Sequence, residues 1–411
     1  MDALMKDFLE ILRAALRGVK AAPDREITPA QWQQLFRMAE IHHILPLFYE
    51  AVFDIPTVPE IFRGMGRQQA RSQVIWQTMR TNEFLALNRQ LQAAGVRPLV
   101  VKGLICRSLY PKPDQRPSGD EDILILPEQF EVCHRVLTDW GLQTVQTEEE
   151  MGQSYEVPYR KEGSALYIEL HKHLFPPESP AYGDLNRFFT DVHNRAVAEE
   201  IQGERVYTLC PTDHLLYLIC HAFKHFLHSG FGIRQVCGIA LYANRYGHRV
   251  DWAALLENCR AIRAEKFAAA IFRIGSKHLD FDPDRACFPE SWRQIPVDER
   301  PMLEDLLAGG LYGDADLSRK HSSNITLEAV ASEKQGRQRK GALAASLFPA
   351  PNKLEGRYPY LKKYPWLVPA AWCSRLISYA GETRKSRDNS AFQALKTGND
   401  RIELMKQYDI L

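Results

Sequence analysis

Two aspartates, Asp120 and Asp122, lead into the run Asp-Glu-Asp-Ile-Leu-Ile-Leu126. Residues two apart in a strand share a face, so both carboxylates project together while Ile123 and Ile125 are free to face a core. Like charges held side by side repel unless a cation lies between them. Glu169 sits in Leu166-Tyr-Ile-Glu-Leu170, where an uncompensated charge among apolar neighbours would be costly. If these two strands are neighbours, three carboxylates converge as hard oxygen ligands for Mg²⁺. That set suits phosphoryl transfer with two ions, one activating an attacking hydroxyl and one holding a triphosphate, with the protein chiefly aligning the reactants. Asp-x-Asp after a proline-rich loop is also an ordinary turn or cap element, and alone it does not choose between these roles.

Basic residues gather elsewhere. His221, Lys224, His225 and His228 fall at i, i+3, i+4 and i+7, one face of a helix whose other faces carry Leu215, Leu216, Leu218, Ile219, Phe223, Phe226 and Leu227. Arg234 and Gln235 follow just past a glycine turn. Together they could wall a triphosphate or an anionic acceptor; a solvated stripe or satisfied structural histidines would read the same way. Zinc is a weaker reading of His221 and His225, because Ala222 stands where a metalloprotease helix needs glutamate. His42-His43 and His171-x-His173 are similar weak pairs, although His171 shares a face with Glu169. Lys102 and Arg116 flank the acidic residues; Arg116 could meet phosphate charge or pair with Asp114 or a carboxylate of the cluster.

The elements that must position these residues are legible in outline. Apolar side chains at Leu4, Phe8, Leu12, Ala15 and Leu16 have a helical period, and Thr28-Pro29 is a cap and first position for a second helix. A third, long helix is expected over about 65–94, closed by Gly95. Arg97–Gly103 then reads as a short strand closed by glycine, followed by a helical stretch 104–110, a turn-rich loop 111–119, the Asp-x-Asp strand, a helix over 128–140, and paired strands around 154–159 and 165–174. Past about 205 the chain turns helical again, with Pro211-Thr-Asp213 and Asp251 as helix starts. The expected class is α+β: a small mixed-sheet core over 93–204, a helical region 1–92 before it, a helical domain 205–300 after it, and an extension 301–411. That extension holds a basic, polar stretch (332–340), expected as an exposed loop, and a Pro/Tyr/Trp-dense arm (349–372), expected to pack over its own domain.

The 411 residues carry 52 Lys+Arg against 51 Asp+Glu, so no global field draws in polyanions and a general nucleic-acid coat is excluded. Eight cysteines without a Cys-x-x-Cys spacing fit buried thiols in a reducing compartment. Acids at positions 2, 7 and 10 break any leader-like run, and no stretch approaches a membrane span. The cytoplasm is the expected address.

The residue order resembles the DNA polymerase beta superfamily of nucleotidyltransferases, and more closely its bacterial branch of "nucleotidyltransferase family proteins". The likeness rests on Leu99-Val-Val-Lys-Gly-Leu104, Leu109-Tyr-Pro111, Arg116-Pro-Ser-Gly-Asp-Glu-Asp-Ile123 and Ile168-Glu-Leu-His171. His221-Ala-Phe-Lys-His225, Gly232-Ile-Arg-Gln235, Asp251-Trp252 and the stretch 358–372 extend it. The resemblance implies that Asp120 and Asp122 bind both metal ions and Glu169 completes the site, with Mg²⁺ as the cofactor or Mn²⁺ in its place. It further implies an NTP such as ATP as one substrate, for which Lys102, Gly103, Arg116, His171, His221, Lys224, His225, Arg234 and Gln235 are the candidate binding residues. The expected reaction moves a nucleoside monophosphate onto an acceptor, releasing pyrophosphate; a catalytically inactive binding module and a kinase-like transferase on the same fold are the alternatives. Acceptor and oligomeric state are not legible. Two departures stand out: no serine follows Gly103, and Gly238 stands where the branch often has aspartate.

Overall fold

Side-chain caps and apolar period set the first helices. Asp2 accepts a hydrogen bond from Met5 N to start α1 (Ala3–Leu16), and a Thr28/Gln31 capping box starts α2 (Pro29–Ile41). After α3 (Leu45–Val52), the long α4 (Glu60–Ala93) begins before the expected Met65, directly after Pro59, and ends ahead of Gly95 at φ +81°. The computed structural model describes residues 2–311, 317–336, 354, 358–374 and 391–411.

A sheet follows, built from β1 (Leu99–Val101), β2 (Glu121–Leu124), β3 (Glu156–Arg160), β4 (Tyr167–His171), β5 (Val197–Ile201) and β6 (Glu204–Thr208). The helices α5 (Gly103–Arg107), α6 (Phe130–Asp139), α7 (Glu148–Gln153) and α8 (Val192–Arg195) are threaded between them. The six strands lie in the order β3-β4-β2-β1-β6-β5. β2 and β4 pair in parallel, as do β1 and β6, and the other pairs are antiparallel. Leu99, Val100, Val101, Ile123, Ile168 and Leu170 are fully buried, which explains the near-continuous apolar reading of the central strands.

The β5–β6 hairpin was not expected. Its strands carry Glu199, Glu200, Glu204 and Arg205, so they lack the apolar run that marks a buried strand; β5 forms the sheet edge, where charge is expected, and β6 lies between it and β1. Gln202 and Gly203 both take positive φ, 52° and 79°, the conformation of a two-residue hairpin turn.

The rest is helical: α9 (Pro211–His228), α10 (Ile233–Tyr246), α11 (Trp252–Ala261), α12 (Glu265–His278), α13 (Glu290–Arg293), α14 (Arg300–Gly309), α15 (Leu317–Lys334) and α16 (Ala391–Gln407). Asp251 caps α11 through the amides of Ala253 and Ala254. One apolar core runs from Phe8 of α1 to Tyr408 beyond α16. The fold is therefore α+β, with one mixed sheet amid helices. Of the expected basic loop, residues 332–336 complete α15 and a turn, and 337–340 lie outside the described residues. In the aromatic arm, 349–353 and 355–357 also lie outside them; the described part gathers Leu354, Leu361, Val368 and Ala371 into a small cluster separate from the main core. Among the described residues no helix is long and apolar enough to cross a membrane.

Candidate active site

The parallel pairing of β2 and β4 places Asp122 directly opposite Glu169. His171, two residues further along β4, shares their face. Asp122, Glu169 and His171 each offer one ligand atom, and these atoms all lie within 4.8 Å of one another. His171 Nε2 is 3.4 Å from Asp122 Oδ1 and 3.7 Å from Glu169 Oε2. Asp120, just ahead of β2, is joined to this group through Lys102, whose Nζ lies 2.9 Å from Asp122 Oδ2 and 3.8 Å from Asp120 Oδ1.

The charges are strongly coupled. Burial opposes ionisation of Asp122, but the Lys102 ammonium and the His171 ring outweigh it and hold the carboxyl well below the usual range. For Glu169 the balance is reversed: burial, with Asp122, Asp120 and Glu156 nearby, raises its pKa despite His171. Burial would neutralise His171, yet the Asp122 and Glu169 carboxylates raise it to about 9.

Glu121, between the two aspartates, points the other way. It is fully buried, pairs with Arg107 at 2.7 Å and accepts a hydrogen bond from Leu104 N at 3.0 Å. A Cβ on Gly103 would collide with this carboxylate, so the requirement for glycine at 103 comes from Glu121. Lys102 adopts φ 62°, ψ −102°, a region a non-glycine residue rarely enters. Its amide donates to His214 Nε2 at 3.2 Å; His214 Nδ1 faces Thr208 Oγ1 at 3.1 Å, and that hydroxyl donates to the Val100 carbonyl at 2.6 Å. Burial lowers the His214 pKa to about 3, so its ring stays neutral and accepts from Lys102.

Beside Asp120 lies a small pocket, with a cavity volume of about 30 Å³, where Lys102, Arg116, His221, Arg234 and Gln235 meet. Gly238 and Ser118 also face it, and a Cβ built on Gly238 meets nothing within 4 Å. Arg234 donates to the Pro117 carbonyl, and Gln235 Oε1 caps the first turn of α10 at Gly232 N, 2.8 Å away. Lys224 and His225 share the α9 face with His221 but do not line this pocket, and neither do Gly103 and His171. His221 and His225 bring their Nε2 atoms to 3.3 Å; burial, then neighbouring cations, lowers both well below the usual histidine range. Burial lowers Lys224 as well.

Sequence reading singled out neither Ser118 nor His214. Ser118 N donates to Gln77 Oε1 at 2.8 Å, Ser118 Oγ accepts from Arg107 at 2.6 Å, and Thr78 holds Asp114 at 2.6 Å. Helix α4 thus fixes the loop that presents Arg116 and Ser118. The only signal for Ser118 was its place just before the aspartate pair.

Residues 28–280 match the family described as "Uncharacterised nucleotidyltransferase". The chain belongs to this family. The matched span runs from the cap of α2 into the segment after α12, and so takes in both carboxylate-bearing strands, α9 and α10. No curated protein matches. Among solved structures, an antigenic nucleotidyltransferase-like protein from Paracoccidioides brasiliensis is similar at 14% identity and a TM-score of 0.31, over 51% of this chain and 95% of that one. That likeness is too loose to bear on the placement of any residue. Membership of the family supports a general nucleotidyltransferase role.

Proposed function

We propose that the protein is a divalent-metal-dependent nucleotidyltransferase of the DNA polymerase beta type, from the bacterial branch, that moves a nucleoside monophosphate from an NTP such as ATP to an acceptor. The observation that carries this reading is the Asp122–Glu169 register across two parallel strands, with Asp120 lining a cationic pocket. The donor set fits a cation: ligand atoms of Asp122, Glu169 and His171 lie within 4.8 Å of one another, and His171 Nε2 is a buried atom that no aligned hydrogen bond reaches among the described residues. Asp120, Asp122 and Glu169 would hold Mg²⁺ or Mn²⁺, which when bound lowers the pKa of an attacking hydroxyl and neutralises phosphate charge.

The remaining work is positioning and electrostatics, as phosphoryl transfer requires. The Arg116 and Arg234 guanidiniums supply planar donors to phosphate oxygens. His221, held neutral by burial, can donate one hydrogen bond into the pocket. Gly238 adds no side chain to that pocket, and Lys102, which lines it beside Asp120, is placed to meet a phosphate. The cysteines are unpaired thiols, the state of a reducing compartment, and we place the reaction in the cytoplasm.

Mass spectrometry of products from a panel of NTPs, acceptors and Mg²⁺ should show pyrophosphate and a nucleotide-modified acceptor. Asp122→Ala should reduce this to background while keeping the fold; unchanged turnover in that variant rejects the assignment. A second reading, a nucleotide-binding module without turnover, draws on the Lys102 ammonium, which already neutralises the aspartate pair. Calorimetric NTP binding without pyrophosphate release would select it.

A further inference from the structure

The third member of the ligand cluster is an imidazole, and its surroundings are those of a ligating histidine. The ring is almost wholly buried. Nδ1 faces the His173 carbonyl at 3.3 Å, with Glu156 Oε2 behind it at 3.6 Å. Giving the Nδ1 proton to a backbone carbonyl leaves Nε2 as the acceptor, the arrangement found behind metal-bound histidines. Nε2 is directed at Asp122 and Glu169, and among the described residues no aligned hydrogen bond satisfies it. Ligand atoms about 2.1 Å from a shared ion stand roughly 3.0 to 3.5 Å apart in octahedral or tetrahedral geometry. The observed 3.4 Å to Asp122 falls within that range, and the 3.7 Å to Glu169 lies about 0.2 Å beyond it. Asp120 is outside this group of mutually close atoms.

Building on the nucleotidyltransferase reading, we propose that His171 is itself a metal ligand, and that the Asp122–Glu169–His171 site takes Zn²⁺, Co²⁺ or Mn²⁺ in preference to Mg²⁺. Mg²⁺ is a hard ion served by oxygen and water. An imidazole nitrogen in the set shifts affinity toward the borderline first-row cations.

The test uses the full-length chain with Mn²⁺ as a paramagnetic probe. Electron spin-echo spectroscopy of the Mn²⁺-loaded wild type should show a directly bound ¹⁴N, and His171→Asn should lose it. Calorimetry with MnCl₂, ZnCl₂ and MgCl₂ should show His171→Asn weakening Mn²⁺ and Zn²⁺ binding by about tenfold or more while Mg²⁺ affinity changes little, which flattens the preference. Mn²⁺ held in an Asp122-dependent site without ¹⁴N coupling overturns the proposal and leaves the carboxylate site standing. Failure of every cation to bind the wild type, with or without NTP, removes both readings together. The decisive spectrum is that of the wild type, so the outcome stands whether or not the variant folds.

Discussion

Adjacent acids in Asp120-Glu121-Asp122 serve opposite ends because strand alternation sends Glu121 to the far face. Its carboxylate and the Arg107 guanidinium are both essentially without solvent contact. Removing one partner of a buried pair strands the other, at a cost of about 3 to 5 kcal/mol. Glu121→Gln should therefore lower the urea midpoint steeply. Asp120→Asn should change stability by no more than about 0.5 kcal/mol, because that side chain is a quarter exposed and its ammonium partner is 3.8 Å away. Its effect belongs in NTP turnover. Equal destabilisation by the two variants would show that Asp120 is structural as well. Composition could not tell these acids apart, but period-two alternation could, and it placed Asp120 and Asp122 together. It could not show that Glu121 would be buried against Arg107, because that pairing depends on the close approach permitted by Gly103.

Between β1 and α5 the chain makes a turn that local propensity does not favour, and α9 is what holds it. His214, in the first turn of α9, accepts the Lys102 amide and is itself anchored through Thr208 to the Val100 carbonyl. That contact spans the chain from 102 to 214, so no local pattern announces it. The parallel β2–β4 pairing is non-local in the same way: period-two strands were readable, but their adjacency was only a conditional. The hairpin β5–β6 escaped because its strands, of which β5 is the sheet edge and β6 lies inside it, carry no apolar run. His214 gives this link a pH signature. An unfolded histidine takes up its proton near pH 6.5, whereas His214 resists until about 3. Within that window the unfolded chain binds the extra proton, so the His214 contribution to stability falls with falling pH, by about 1.4 kcal/mol per unit, and is constant above it. His214→Phe should cost about 1 to 3 kcal/mol near pH 7.5 by orphaning the Lys102 amide, and its deficit should shrink as pH falls from 6.5 towards 4. Urea titrations at a series of pH values read both effects; a deficit independent of pH would mean that the His214 ring is protonated in the native state.

At the scale of the whole molecule, the C-terminal helix is part of the core although it lies far in sequence from the carboxylates. Arg401 of α16 is buried, pairs with Asp305 of α14 at 3.2 Å and donates to the carbonyl of Phe226 on α9; Arg319 of α15 binds the same aspartate. Tyr408 is buried, donates to the Asp298 carbonyl at 2.8 Å and accepts from Met302 N at 3.0 Å, with its ring edge-on to Phe226. Phe226 adjoins His225 and lies on the helix that carries His221 to the pocket, so the end of the chain braces a wall of the candidate site. Tyr408→Ala should cost about 3 to 5 kcal/mol, as truncating a buried aromatic does, whereas Tyr408→Phe keeps the ring and should cost only about 1 to 2 kcal/mol for the lost hydrogen bonds. The ratio of the two separates packing from hydrogen bonding. Were this helix a dispensable appendage, both variants would melt with the wild type. If it braces α9, removing residues 391–411 should abolish cooperative unfolding and NTP binding together, since Met405, Tyr408 and Ile410 belong to the main core and their loss would open it from the side on which α9 rests.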